Sequence, residues 1–119
     1  MPNWQPNWND VRWDHAASDE AIAALRHAAD QLDYSADERT RLAADAQREW
    51  RGPYRERFDR ELADILHRTR SLAEDLRAKA NEIARAAHRA YEEQQHRLRE
   101  RERWRREKAE EEERERRRC

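Results

Sequence analysis

The 119-residue chain has very few of the residues that interrupt or cross-link secondary structure: one glycine, three prolines and one cysteine. So little Gly and Pro argues against a sheet protein with many tight turns. The abundance of Ala, Glu, Arg and Leu is instead typical of long helices and coiled coils. The single Cys119 cannot form an internal disulfide, so the sequence gives no indication of the redox compartment.

Long apolar runs and an excess of one charge are missing as well. No stretch approaches the roughly 18 apolar residues that a membrane-spanning helix needs, and the N-terminus lacks the pattern of a cleavable signal peptide. The 26 basic and 27 acidic residues nearly cancel, whereas a chain that neutralises many phosphates usually has a basic excess. We therefore expect a cytoplasmic protein, or one secreted without a cleavable signal peptide, and nucleic acid is not favoured as a partner.

The chain does contain two long stripes of apolar residues at helical spacing. The first begins after a predicted helix cap at Ser18 and ends at Trp50, and the second runs from Phe58 to Ala90, within a helix predicted over 54–96. Gaps of three and four residues, sustained over several heptads, predict helices that pack lengthwise on other helices. We predict that the large residues of these stripes form the seam of the fold and its packing with a partner: Ile22, Leu25, Leu32, Phe58, Leu62, Ile65, Leu72, Leu76 and Ile83.

The only glycine lies between the two stripes, in the sequence EWRGPY at 49–54. Gly52 can adopt the left-handed backbone that ends a helix, and Pro53 fits the first turn of the next one. This pattern predicts an all-α fold, an antiparallel helical hairpin of helices 18–50 and 54–96 with its turn at 51–53. Trp50 and Phe58 should face the seam near the bend. Because two helices bury only one narrow seam, we expect the hairpin to dimerise into a four-helix bundle.

The leader, residues 1–17, repeats Pro-Asn-Trp at 2–4 and 6–8. Prolines this close together exclude a stable helix. Three interpretations are open for Trp4, Trp8 and Trp13: the rings lie along the side of a helix, they dock a partner, since Trp is common at binding hot spots, or the leader is a disordered tail.

Residues 97–119 consist almost entirely of Arg and Glu. Glu and Arg four residues apart stabilise a helix by about 0.2–0.5 kcal/mol per pair without burying anything. We predict an extended, solvated helical tail in which Trp104 contributes little to stability. The alternative is an electrostatic tail that touches a membrane surface, nucleic acid or a protein partner.

The Trp-x-Gly turn between two helices of similar length resembles the WxG family of small type VII secretion substrates, the Esx-like proteins of actinobacteria and their relatives. The resemblance covers roughly residues 18–96. It implies a hairpin that forms a homodimer, or a heterodimer with a related hairpin, and leaves the cell folded through a secretion ATPase. The family's signal, Tyr-x-x-x-Asp/Glu, corresponds to Tyr91, Glu92 and the two residues that follow, with Gln95 in the place of the acid.

Candidate catalytic and metal-binding residues are scarce. His88, Glu92 and His96 share one helix face, but eight residues of helix separate the outer two by about 12 Å, too far to bind one ion together. A phosphate-cradling loop needs more than one glycine. We therefore expect no enzyme, no metal, no cofactor and no small-molecule substrate.

Two non-enzymatic hypotheses remain. The first is a secretion-associated substrate, or a partner that chaperones a larger secreted effector, acting through helical-bundle pairing. The second is a cytosolic coiled-coil adaptor that uses the leader and the charged tail to bind a membrane surface, nucleic acid or a protein. The central turn favours the first.

Overall fold

A computed structural model describes all residues 1–119 and contains two helices and no strand. Helix α1 covers His15–Gln47 and helix α2 covers Pro53–Arg118. The all-α prediction is confirmed. Internal contacts divide the chain into two units, residues 16–84 and residues 1–15 together with 85–119.

In the unit of residues 16–84, α1 and the first part of α2 form the predicted antiparallel hairpin. The buried part of its contact line is made of alanines, and the same heptad positions hold the half-buried Ile22 on α1 and Leu66 on α2. Ala29, Ala36 and Ala43 recur every seven residues along α1, and Ala73 and Ala80 do the same on α2. All but Ala43, at 7%, are completely inaccessible to solvent. Because alanine ends at Cβ, it lets two helix backbones approach closely.

The seam on α2 lies beside the predicted one. Ile65 and Leu72, both predicted to lie in the seam, are 41% and 49% exposed, whereas Ala73 and Ala80 are fully buried. The physical reason is that the apolar stripe of α2 is wider than one helix–helix contact. The smallest residues permit the closest approach, so they occupy the contact line and the larger side chains lie at its edge.

The connection between the helices differs in detail from the prediction. α1 ends at Gln47, so Trp50 lies in the connection and not in the last helical turn. Its ring still contacts Phe58, with centroids 5.2 Å apart. Gly52 has the expected positive φ, 111°, but it lies at the start of α2 and not at the end of α1. Its carbonyl accepts hydrogen bonds from the backbone N–H groups of Arg55 and Glu56, and Pro53 occupies the first helical position, as predicted.

The outer helix boundaries also differ from the prediction. α1 begins at His15, directly after Asp14, a residue type that is favoured at the N-cap. Ser18, the predicted cap, lies inside the first turn and is buried. α2 continues through residue 96 without a break, since neither Gly nor Pro follows Pro53. Neither helix is apolar enough over a sufficient length to cross a membrane.

Candidate interaction surfaces

One side of the hairpin carries ion pairs between the two helices. Arg77 contacts Asp30 at 2.8 Å and Asp33 at 2.7 Å, and Arg70 contacts Asp37 at 3.0 Å. The two carboxylates, Asp30 before Asp33, raise the pKa of the Arg77 guanidinium. Exposed pairs of this kind contribute little stability. Because they repeat every seven residues on both helices, they favour one register of the hairpin.

The opposite side of the hairpin is largely apolar, with Arg39 and Lys79 as charged residues among its apolar side chains. At about 100° of rotation per residue, its large side chains lie on the other side of the alanine seam from the ion pairs. Several are substantially exposed, among them Leu42 at 57%. Leu42 was missed in the sequence because it lies one residue before the stripe. We call this surface the apolar flank: Leu25, Leu32, Leu42, Phe58, Ile65, Leu72, Leu76 and Ile83.

In the unit of residues 1–15 and 85–119, the residues that precede α1 lie along α2. We call residues 1–14 the arm. Its main anchor is Arg101, which is 8% exposed although it is charged. The guanidinium donates to the backbone carbonyls of Asn7 at 3.0 Å and Asn9 at 2.8 Å, and to the carboxylate of Asp10 at 2.9 Å. All three of its nitrogens are therefore bonded to the arm. Arg97 donates a further bond to the Asn9 carbonyl at 3.1 Å.

Tryptophan contacts form the second part of this interface. Trp104 is 8% exposed, and its indole N–H donates to the backbone carbonyl of Trp4 at 2.9 Å. The Trp8 ring meets Trp104 edge-on, with centroids 5.4 Å apart. The guanidinium of Arg103 lies 4.5 Å from the Trp4 ring, a cation–π contact that contributes about 0.5–1 kcal/mol at exposed sites.

Three acidic groups complete the interface, Asp10 near one end and Glu107 and Glu111 near the other, where Glu111 pairs with the Met1 ammonium at 2.5 Å. Gln94 donates to Asp10 at 2.9 Å and accepts a hydrogen bond from the backbone N–H of Val11 at 2.7 Å. The hydrogen bonds from Gln94 and then Arg101 lower the pKa of Asp10. The indole N–H of Trp4 donates to Glu107 at 2.6 Å. That hydrogen bond, followed by the influence of Arg103, lowers the pKa of Glu107.

These contacts decide between several interpretations of the sequence. Trp4 and Trp8 lie along the side of a helix, which was one of the alternatives for the leader, whereas Trp13 is 39% exposed. The prediction that Trp104 belongs to a fully solvated tail is wrong, because the arm covers it. The leader and the charged tail, which the adaptor hypothesis leaves free for partners, are bound to each other.

Three interface residues of α2, Gln94, Arg97 and Arg101, were missed in the sequence because they are polar. A signal for them nevertheless exists. The alternating three- and four-residue spacing that passes through Ala80 continues to these three residues and then to Trp104. A polar residue in a continuing heptad stripe therefore indicated a contact.

The segment that resembles a secretion signal lies on the surface of α2. Tyr91 is 54% exposed, Glu92 pairs with His88 at 2.9 Å, and Gln95 is half-buried. No group of three or more His, Cys, Asp or Glu side chains is arranged to hold a metal ion.

No family model, no curated protein and no solved structure matches the chain.

Proposed function

We propose that this chain is a non-enzymatic interaction protein that pairs its hairpin, through the apolar flank, with a second hairpin in a four-helix bundle. The observation that carries this proposal is the exposure of Leu42, Ile65 and Leu72 beside a seam whose buried apolar residues are all alanines. Single exposed apolar residues are common on protein surfaces, but a contiguous row of them typically marks an interaction site.

The partner that fits the apolar flank best is a second copy of this chain. On α1 the outer edge of the flank has the small residues Ala21, Ala28 and Ala46 beside Arg39, and Leu25, Leu32 and Leu42 are its large side chains, whereas α2 contributes Phe58 and four other large side chains. Placing α2 of each copy over α1 of the other brings large residues against small ones, which is how well-packed cores are filled. This arrangement is two-fold symmetric, with the symmetry axis along the helices and both turns at the same end.

Leu72→Lys tests the pairing, with Ala63→Lys as the matched control because Ala63 is exposed and lies on the side of the ion pairs. Sedimentation equilibrium should give a dimer for the wild type and the control, and a monomer for Leu72→Lys. A wild-type chain that is monomeric at high micromolar concentration would refute self-pairing. Binding only after a related hairpin is added would identify a heterodimer instead.

Spin labels on Arg48, close to the turn, test the orientation. With both turns at one end, the labels should lie within a few helix diameters of roughly 10–12 Å each. With turns at opposite ends, they should be separated by about 50 Å, the length of a 33-residue helix at about 1.5 Å per residue. The second result would contradict the proposed arrangement without contradicting pairing itself.

We further propose that the paired hairpin is a type VII secretion substrate, or a partner of a larger secreted effector. The Trp50-x-Gly52 turn between antiparallel helices, with Trp50 against Phe58, supports this role, as does the exposed Tyr91. The protein should accumulate in the culture medium only when the secretion ATPase is active, and Tyr91→Ala should abolish this while leaving dimerisation intact. Export of Tyr91→Ala at the wild-type level would refute a signal at this position.

A further inference from the structure

The contact between the arm and α2 has the properties of a peptide-recognition site. Three backbone carbonyls of the arm, those of Trp4, Asn7 and Asn9, accept hydrogen bonds from side chains of α2, and one backbone N–H, that of Val11, donates to α2. An extended chain has no internal partners for these groups, so a surface that binds it must supply them. Side chains of α2 do so here over much of the arm's length.

Two further features of the arm give the contact its selectivity. Pro2 and Pro6 are both buried, and proline lowers the entropy cost of holding a segment extended, as in other recognition of proline-containing peptides. The rings of Trp4 and Trp8 and the carboxylate of Asp10 each meet a matched group on α2. The surface therefore suits one sequence class: an extended segment with two Pro-Asn-Trp repeats followed by an acid.

We infer that this face of α2, formed by Gln94, Arg97, Arg101, Trp104 and Glu107, is a docking site that also accepts the arm of a second copy of the chain. Every copy carries both the segment and the site. Only residues 12–14 connect the docked part of the arm to α1, and exchange of such a terminal segment between identical chains leaves both helices intact. This surface is separate from the apolar flank, so the inference does not depend on hairpin pairing.

Complementation between two full-length variants tests the inference. The acceptor, Trp4→Ala/Trp8→Ala, has an intact site but a weakened arm. The donor, Arg101→Met, has an intact arm but a damaged site. The acceptor is labelled with ¹⁵N-tryptophan, and exchange of the Trp104 indole N–H with solvent is measured by NMR. The chains are mixed at about millimolar concentration, comparable to the effective concentration that a short linker provides within one chain.

In the acceptor alone, protection of the Trp104 indole N–H against exchange should be at least tenfold lower than in the wild type. Adding the donor should restore most of this protection. A second donor that carries Trp4→Ala/Trp8→Ala in addition to Arg101→Met should restore nothing, although its hairpin and apolar flank are unchanged. No recovery with the first donor would show that the arm docks only within its own chain. Equal recovery with both donors would assign the effect to hairpin pairing. Either result would overturn the inference.

Discussion

Replacing Trp104 by alanine is the most direct test of the contact between the arm and α2. The substitution removes the indole hydrogen bond to the Trp4 carbonyl and the edge-on contact with Trp8, each worth about 0.5–1.5 kcal/mol. It also exposes apolar surface of the arm, since Trp104 is only 8% exposed. Core Trp→Ala substitutions cost about 3–5 kcal/mol. Because Lys108 of α2 itself also lies over the indole, 5.3 Å from its centroid, only part of this burial is due to the arm, and we expect the lower end, about 3 kcal/mol of docking free energy.

Hydrogen exchange measures this loss where it occurs. A loss of about 3 kcal/mol corresponds to a decrease in protection of roughly a hundredfold at the Val11 amide and the Trp4 indole, both of which are bonded to α2. Trp13→Ala is the matched control. Trp13 is 39% exposed, so its substitution should leave both groups protected. If Trp104→Ala left the two groups protected, or if Trp13→Ala exposed them equally, the arm would not be held by the contacts described here.

Three further predictions concern the turn, the seam and the pH dependence. Gly52→Val places a β-branched side chain at a φ of 111°. We expect it to destabilise the hairpin by about 1–3 kcal/mol and to lower the melting temperature. An unchanged melting temperature would contradict the turn geometry. Ala36→Leu should overpack the seam at a fully buried position and lower the free energy of unfolding by about 1–3 kcal/mol. Ala44→Leu, on the exposed surface, should change it little. Equal losses of stability would place the seam elsewhere. The pKa values of Asp10 and Glu107 are lowered below their ordinary values of 3.8 and 4.5, whereas the pKa of the Met1 ammonium, which pairs with Glu111, is raised above 8.0. Docking of the arm should therefore be constant between about pH 5 and pH 8 and weaken as the pH falls below about 4; protection of the Val11 amide, relative to its intrinsic exchange rate, that does not fall below about pH 4 would refute the carboxylate contributions.

The sequence was sufficient to predict the hairpin because its signals are local and agree with one another. The three- and four-residue spacing, the absence of helix breakers and the position of Gly52 each indicate two helices with one reversal. The choice of seam on α2 could not be predicted in the same way. Periodicity identifies an apolar side of a helix, but which residues touch depends on how closely the backbones approach. That distance follows from Ala73 and Ala80 meeting the alanines of α1.

The docking of the arm was the hardest feature to predict. The composition of residues 97–119 predicts a solvated helix, and most side chains of this segment are indeed exposed. Burial of Arg101 depends on carbonyl groups of residues more than 90 positions earlier in the sequence. A charged side chain is favourable in a buried position only when such partners satisfy it; the heptad stripe indicates that Arg101 makes a contact, but it does not identify the carbonyl groups of the arm as the partners.

The two units use one heptad register for two kinds of neighbour, and the residues on the contact line determine which kind binds. Where the line on α2 is Ala73 and Ala80, the neighbour is another helix, whose internal backbone groups are already hydrogen-bonded to one another and which needs only a close apolar surface. Where the line is Gln94, Arg101 and Trp104, the neighbour is an extended segment, whose carbonyls require donors from outside. Replacing the polar residues of the contact line by apolar ones should therefore change the neighbour that α2 favours, from an extended segment to a helix. An α2 with alanine at Arg101 and leucine at Gln94 should lose the arm without loss of helix, because the donors disappear while the helix-forming pattern remains.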